Sequence, residues 1–358
     1  MVSPVMAPTI SLSFQPLSLR LKHPFGTASG TSADSHNLLV KLHYKDWIGY
    51  GEASPVWYHA ETIETASSLL AAWQSNEELL GHDPFAITAI EKRMNAVVSG
   101  HASVKAAVEM ALHDLCGKIL KVSVLKMLGL SGFTQPMTDF TIGIDSLAMI
   151  EQKTNEAIAA GFQVLKVKLG TAYDKEIIKS VRSVTALPLR VDANGAWTPK
   201  QAIAMAHLLA QENVQLIEQP LPKSATVDDF RFVKEHSPLP IFADESVSTS
   251  SDVARFANAV DGVVIKLAKT GGIAEAMRCI HTARAHGMQI MLGCMVESSL
   301  GISAALQLSS LVDYLDLDGA LLLAQDPFYG SISCNQGRLT FGDGVGLGAC
   351  LHAGSASP

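Results

Sequence analysis

The sequence predicts an α/β protein, a parallel (β/α) barrel preceded by an α+β segment. The observation that carries this is a phase. Lys166, Asp192, Glu218 and Asp244 stand 26 residues apart in three successive intervals. Each closes a short apolar run, in VLKVK, PLRVDAN, VQLIEQP and PIFADES. Such an interval holds a strand of about 5–6 residues, a loop, a helix of about 10 and a second loop. Repeating that unit builds a parallel sheet with helices outside it, and each polar residue falls at the C-terminal end of its strand. In a closed barrel those ends converge on the face where active sites of this architecture lie.

The elements follow in order. Ile10–Phe14, Asn37–Tyr44 and Trp47–Gly51 read as strands, with a turn at Lys45-Asp46. Gly26–His36 is small, polar and rich in glycine and serine, which predicts a mobile loop. Residues 61–128 carry helical periodicity, clearest over Ser103–Leu128. Barrel strands are expected at Phe140–Ile144, then ending near Lys168, Asp192, Glu218, Asp244, Lys266 and Leu292, with an eighth at Val312–Asp318. Helices are expected at Pro199–Glu212 and Ala274–His286. The expected division is 1–130, 131–325 for the barrel, and a tail, 326–358, that returns to the N-terminal domain.

The 358 residues suffice for a barrel of about 250 plus a smaller domain. With 48% hydrophobic and 17% charged residues, a large core is expected rather than disorder. A net charge of −7 gives no reason to expect nucleic acid or an anionic membrane as partner. No apolar run is long enough to span a bilayer, and Met1–Pro8 does not resemble a signal peptide. The five cysteines form no metal-type or CxxC spacing, which fits thiols in a reducing cytoplasm. A homo-oligomer is the default expectation.

Three carboxylates arriving at one mouth offer the hard oxygen ligands that suit Mg²⁺. One acid at a strand end commonly only caps the following helix; three in phase, flanked by lysines, point to a metal. Lys166 and Lys168 alternate on one strand and share a face. Mutual repulsion and burial are expected to lower their pKa values toward the range of a general base. Lys266 ends the sixth strand, opposite, while Lys269 reads as a loop residue. Bases on both faces of a metal-bound carboxylate suit abstraction of the proton α to it.

Lys166-Val167-Lys168, Asp192-Ala193-Asn194, Glu218-Gln219-Pro220, Asp244-Glu245-Ser246 and Ile265-Lys266-Leu267, in that order, resemble the enolase superfamily in its muconate-lactonizing-enzyme-like subgroup. The Mg²⁺-plus-lysine enediolate site of this superfamily is a familiar one. The resemblance implies a (β/α)₇β-type TIM barrel with an N-terminal α+β capping domain completed by the C-terminal tail. It implies Lys168 and Lys266 as the acid/base pair, Lys166 as an aid to substrate binding, and Asn194 and Glu245 as supports of the metal ligands. Leu315-Asp316-Leu317-Asp318 resembles the DxD of dipeptide epimerases, where the pair holds the substrate's α-ammonium. Gly293–Ser299, with Met295 and Ser298, resembles their seventh-strand loop.

Members acting on Ala-Glu often carry an arginine in the first loop; aligned from Pro24-Phe25, that position is Ser29. No arginine or lysine occurs between His23 and Lys41, and an uncompensated carboxylate is costly to desolvate. Trp57 and Tyr58 offer apolar contact area instead. The expected substrate is therefore Ala-X with apolar or aromatic X. Alternatives within the subgroup are an L-Ala-D/L-Glu epimerase, an N-acylamino acid racemase, an o-succinylbenzoate synthase and a cycloisomerase. The last three have substrates without an ammonium to meet Asp316 and Asp318. Mandelate-racemase-like chemistry would want a histidine at the end of the seventh strand, and Met288–Cys294 has none. A non-catalytic binder would have no use for paired lysines.

Overall fold

The computed structural model describes residues 8–28, 30–130 and 136–353. The N-terminal domain opens with three antiparallel strands, β1 (Ser11–Thr27), β2 (Gly30–Tyr44) and β3 (Trp47–Ala53), adjacent in that order. β1 lies at the sheet edge, where Pro16 is tolerated. The segment expected as a loop, Gly26–His36, instead continues the β1–β2 ladder: Phe25 pairs with Ser32, Gly26 with Thr31 and Thr27 with Gly30. Gly30–Asp34 are exposed, so neither face carries the apolar alternation by which a strand is recognised.

Five helices follow: α1 (Ile63–Gln74), α2 (Glu77–Leu80), α3 (Ile87–Val97), α4 (Ala102–Leu120) and α5 (Val124–Met127). α4 is buried continuously from Ser103 to Gly117. One side of it lies on β3. A Cβ on Gly51 would fall 1.9 Å from the Ala107 carbonyl oxygen, and one on Gly49 2.0 Å from that of Ala111. Glycine at both positions lets the helix backbone rest on the strand.

The barrel alternates β4 (Phe140–Ile142), α6 (Leu147–Ala159), β5 (Leu165–Lys168), α7 (Asp174–Val184), β6 (Leu189–Asp192), α8 (Pro199–Leu209), β7 (Val214–Glu218), α9 (Val227–His236) and β8 (Ile241–Ala243). It continues through α10 (Ser250–Phe256), β9 (Gly262–Ile265), α11 (Leu267–Thr270), α12 (Ile273–Ala285), β10 (Gln289–Gly293), α13 (Ser299–Leu306) and β11 (Tyr314–Asp316). All eight strands are parallel neighbours in sequence order, and a parallel bridge from Thr138 to Leu315 joins first to last. α8, α9 and α10 each start at a threonine whose side chain and that of the residue three positions on cap one another's backbone N–H. After β11 comes only a 3₁₀ turn, Gly319–Leu322, so the last unit lacks its α-helix and the barrel is (β/α)₇β. Below the mouth its interior is filled by Leu216, Phe242, Val264 and Met291, with the buried Arg190–Asp139 pair at 2.7 Å beside them.

The remaining strands are β12 (Phe328–Tyr329), β13 (Ile332–Asn335), β14 (Arg338–Phe341) and β15 (Cys350–Leu351). This stretch contacts the N-terminal domain: Leu347 N–H donates to Asp114 Oδ1 at 2.8 Å, Val124 N–H to the Gly346 carbonyl at 2.9 Å, and the Phe328 ring meets Tyr50 edge-on. α4 also reaches the barrel directly, where the buried Glu109 carboxylate accepts from the Ile273 and Ala274 N–H groups at the start of α12. Among the described residues no helix is long and apolar enough to cross a membrane.

Glu109 thus caps a helix of one domain from the core of another. Glu109→Ala leaves the buried Ile273 donor and the half-buried Ala274 donor without their acceptor and is expected to cost about 1–3 kcal/mol, read as a lowered Tm and denaturant midpoint. An unchanged midpoint would show that water replaces the carboxylate.

Candidate active site

Strand register decides which side chains meet. Lys168, Asp192 and Glu218 are paired across β5, β6 and β7. Glu218 pairs with Phe242, so Asp244 lies just past the end of β8. Gly293 pairs with Asp316, the last residue of β11. Lys166, one pleat below Lys168, is buried among acids: its Nζ lies 2.6 Å from Glu218 Oε2, 2.6 Å from Asp316 Oδ2 and 3.3 Å from Asp192 Oδ2. Lys168 Nζ lies 2.6 Å from Asp192 Oδ2, and Lys266 Nζ 2.7 Å from Asp244 Oδ2.

Lys269 differs from expectation. It is no loop residue but part of the single turn α11, buried, with Nζ 2.5 Å from Asp244 Oδ1 and donating to the Asp244 and Val264 carbonyls. Three residues after Lys266 on a helical turn, it comes back to the same side. That spacing was the available signal. The depression expected of Lys166 is also reversed, and Lys266 is raised in the same way. Burial works against each ammonium, but Asp316, Glu218 and Asp192 around Lys166, and chiefly Asp244 at Lys266, hold both pKa values well above the usual lysine range. Carboxylates outnumber ammoniums here, so attraction outweighs lysine–lysine repulsion.

The acids divide accordingly. Burial alone would raise Asp192 and Asp244, yet the adjacent lysines hold both below the ordinary carboxylate range. Burial and the neighbouring acids push Glu218 well up, and Glu245 and Asp318 each to about 7. Asn194 donates from its backbone to Asp192 Oδ1 at 2.8 Å, and from its amide to Asp192 Oδ2 at 3.3 Å and Glu245 Oε1 at 3.1 Å. Gln219 stands in the Glu218-Gln219-Pro220 motif but carried no expected role there. Its amide oxygen accepts from the Asp244 and Ser246 N–H groups, and its backbone sits at φ 37°, a left-handed conformation that a non-glycine residue adopts at some cost.

Above this floor is a cavity of about 340 Å³ lined by Lys168, Lys266, Asn194, Glu245, Asp316, Asp318, Trp57, Tyr58 and Met295 among others. Lys166, Asp192, Glu218 and Asp244 are not on its wall; they lie beneath, under Lys168 and Lys266. β5 and β9 are second and sixth of the eight strands, so these two lysines approach from opposite sides. Asp316 and Asp318 meet at Thr141, whose N–H donates to Asp318 Oδ2 at 2.6 Å and whose hydroxyl lies 3.4 Å from Asp316 Oδ1. Thr141 itself carried no sequence signal, since its main contribution is a backbone donor.

The N-terminal domain forms the lid. Trp57 and Tyr58 belong to the 3₁₀ turn Trp57–His59, held to the barrel by Lys223 donating to the Tyr58 carbonyl and by His59 with Ser248. Trp57 is 66% exposed, and the Tyr58 hydroxyl is buried with no hydrogen-bond partner. Ser298 is not on the cavity wall: its hydroxyl and N–H donate to the buried Glu52 of β3. Asn37 donates to Glu52 and to the Val296 carbonyl, so this cluster fixes the segment that carries Met295. Ser29 lies outside the described residues.

The oxygens of Asp192, Glu218 and Asp244 suit a hard divalent cation, and Glu218 Oε1, Glu245 Oε2 and Asn194 Oδ1 are buried without partners. Among the described residues no three acids, histidines or cysteines already stand in a closed metal geometry. The lysines hold the oxygens such an ion would use.

Comparison with known proteins agrees with this arrangement. Residues 149–354 match the family described as Enolase C-terminal domain-like, and residues 12–129 match the Mandelate racemase / muconate lactonizing enzyme N-terminal domain. The chain belongs to the enolase superfamily. It is 42% identical over 340 residues to an L-Ala-D/L-Glu epimerase of Bacteroides thetaiotaomicron, covering 95% of this chain and 87% of that protein. The fold matches a dipeptide epimerase of Cytophaga hutchinsonii in complex with Mg and D-Ala-L-Val, with a TM-score of 0.92, 29% identity and coverage of 98% and 97% of the two chains. It also matches a dipeptide epimerase of Enterococcus faecalis complexed with Mg and L-Leu-L-Tyr, with a TM-score of 0.89, 30% identity and coverage of 96% and 100%.

The lid predicts a pH effect. Burial, with Glu52 nearby, pushes the Glu297 carboxyl up to about 8, and one of its oxygens lacks a partner. The folded state therefore keeps a proton that the unfolded chain releases near the ordinary glutamate value, and stability falls as pH rises from there to about 8. Glu297→Gln removes that contribution. Its Tm relative to the parent is expected to rise between pH 5 and pH 8; a constant difference would show that Glu297 ionises normally.

Proposed function

We propose that this enolase-superfamily chain is a Mg²⁺-dependent dipeptide epimerase, inverting the α-carbon of the C-terminal residue by a two-base 1,1-proton transfer. One observation carries the reading: Lys168 and Lys266 face a single cavity from opposite sides, above an acidic floor and beside Asp316 and Asp318. Two lysines so placed can remove a proton from one face of a carbon and return one to the other. Asp192, Glu218 and Asp244 would hold the ion, with Asn194 and Glu245 steadying them. When bound, Mg²⁺ supplies a fixed dipositive charge that offsets the charge of the enediolate and competes with the ammoniums for the carboxylates. Lys166, beneath Lys168, adds positive charge where the substrate carboxylate would lie.

Asp316 and Asp318 would take the α-ammonium. The upward push on Asp318 marks a carboxyl that lacks a full cationic partner. For the second residue we propose an apolar or aromatic side chain after alanine. Supporting this, the lysines on the cavity wall, Lys168 and Lys266, both lie in ion pairs, while Asp34 lies on the same wall. The 42% identical Bacteroides thetaiotaomicron protein, an L-Ala-D/L-Glu epimerase by name, supports the Ala-Glu alternative instead. We also propose a cytoplasmic location, in keeping with five free cysteines, and a homo-oligomer as the general default.

Incubation of L,L-dipeptides in D₂O with Mg²⁺ is expected to add one deuteron at the C-terminal α-carbon of Ala-Phe and Ala-Leu, and EDTA to abolish it. Lys168→Ala and Lys266→Ala are each expected to lower epimerisation by about 10²–10⁴-fold. A higher kcat/KM for Ala-Glu than for Ala-Phe would overturn the specificity alone. Label in an N-acylamino acid and in no dipeptide would overturn the reaction.

A further inference from the structure

A second cavity of about 310 Å³ adjoins the first and shares Phe25, Thr141 and Leu322 with it. It lies between β4, α6 and the 3₁₀ turn after β11, with Phe140, Ala157 and Phe162 on its apolar wall. The charged groups at its rim are already matched to the protein. Lys22 donates to the Leu321 carbonyl, His23 lies 2.9 Å from Glu156, and Lys153 binds Asp145 and the Pro24 carbonyl. Apart from the Gln336 side chain, what these partners leave for an occupant is mostly hydrocarbon surface.

Thr141 links this cavity to the proposed reaction. It bonds Asp318 through its N–H and reaches Asp316 through its hydroxyl, and it lies on the wall of both cavities. If the two aspartates hold the substrate's ammonium, the carbon bearing that ammonium sits at the junction. We infer that the second cavity receives the side chain of the substrate's N-terminal residue, and that the enzyme accepts dipeptides beginning with a large apolar residue such as leucine as well as alanine. The inference rests on the epimerase reading and extends it to the other half of the substrate. Its volume exceeds what an alanine methyl would fill, and its lining selects against a charged chain at that position.

The test compares Leu-Leu with Ala-Leu, the C-terminal residue being held constant. The parent protein is expected to epimerise Leu-Leu with a kcat/KM at least equal to that for Ala-Leu. Ala160→Phe fills the cavity from its exposed edge, and Cys334→Phe fills it from the tail; neither position lies on the wall of the first cavity. Each variant is expected to lower kcat/KM for Leu-Leu by at least about 10-fold while leaving Ala-Leu within about 2-fold, as differential binding in one side-chain pocket requires. The inference is overturned if the parent turns over Ala-Leu but not Leu-Leu, or if both variants affect the two substrates equally. If the parent turns over neither dipeptide, the epimerase reading fails and takes this inference with it.

Discussion

The constraint on which the rest of this molecule depends is the burial of opposed charges at one end of the barrel. Lys166, Lys168, Lys266 and Lys269 are all within ion-pair distance of acids, and all four are buried. An isolated ion in such a place would neutralise or unfold its surroundings, so each lysine must find a carboxylate within about 3 Å in a fixed direction. The barrel meets that demand because register places Lys168, Asp192 and Glu218 level on adjacent strands, with no adjustment left to loops. Backbone groups then fix the acids, through the Asn194 N–H on Asp192 and the Gln219 side chain on the Asp244 N–H.

The same device, a buried acid given backbone donors from a distant part of the chain, joins the N-terminal domain to the barrel and to the tail. Glu52 holds Ser298, Glu109 holds Ile273 and Ala274, and Asp114 binds Tyr50 and Leu347. Such contacts are directional, unlike the apolar packing around α4, and so determine where the lid stands over the mouth. Met295 faces the cavity on one side of this arrangement, with the 3₁₀ turn of Trp57 and Tyr58 on the other. On the proposed reading, specificity would therefore depend on the joint between domains, while the proposed acid/base and metal residues all come from the barrel.

That division explains what could be read from the sequence. The four strand ends were legible because each repeats one structural unit, so an even spacing of Lys166, Asp192, Glu218 and Asp244 maps directly onto neighbouring strands. Asp316 and Asp318 were legible by analogy with relatives, although the structure adds that a backbone N–H of Thr141 occupies one of Asp318's oxygens. Lys269 reads as a loop residue beside the turn signals Thr270-Gly271-Gly272, and only the helical turn between it and Lys266 brings both to Asp244. The far end of the β1–β2 hairpin, Gly26–His36, was missed because small polar residues hide a ladder whose partners are backbone groups. Ser298 was placed by sequence at the substrate, whereas its hydroxyl serves Glu52, a residue 246 positions away. No local pattern could have shown that pairing.

Charge balance connects the floor to the substrate. Around the mouth, the four buried ammoniums of Lys166, Lys168, Lys266 and Lys269 face six buried carboxyl groups, those of Asp192, Glu218, Asp244, Glu245, Asp316 and Asp318, while Asp34 on the cavity wall is exposed to solvent. If all are ionised, two negative charges are left over, and burial together with this surplus pushes Glu218, Glu245 and Asp318 upward. One divalent cation cancels the surplus. A dipeptide zwitterion, carrying one ammonium and one carboxylate, can then enter without disturbing the balance. An N-acylamino acid brings one uncompensated negative charge, a muconate two, and Ala-Glu one, each into a place where unpaired charge is costly. The proposed preference for an uncharged second residue and for a free ammonium would thus follow from the same surplus that suits the metal.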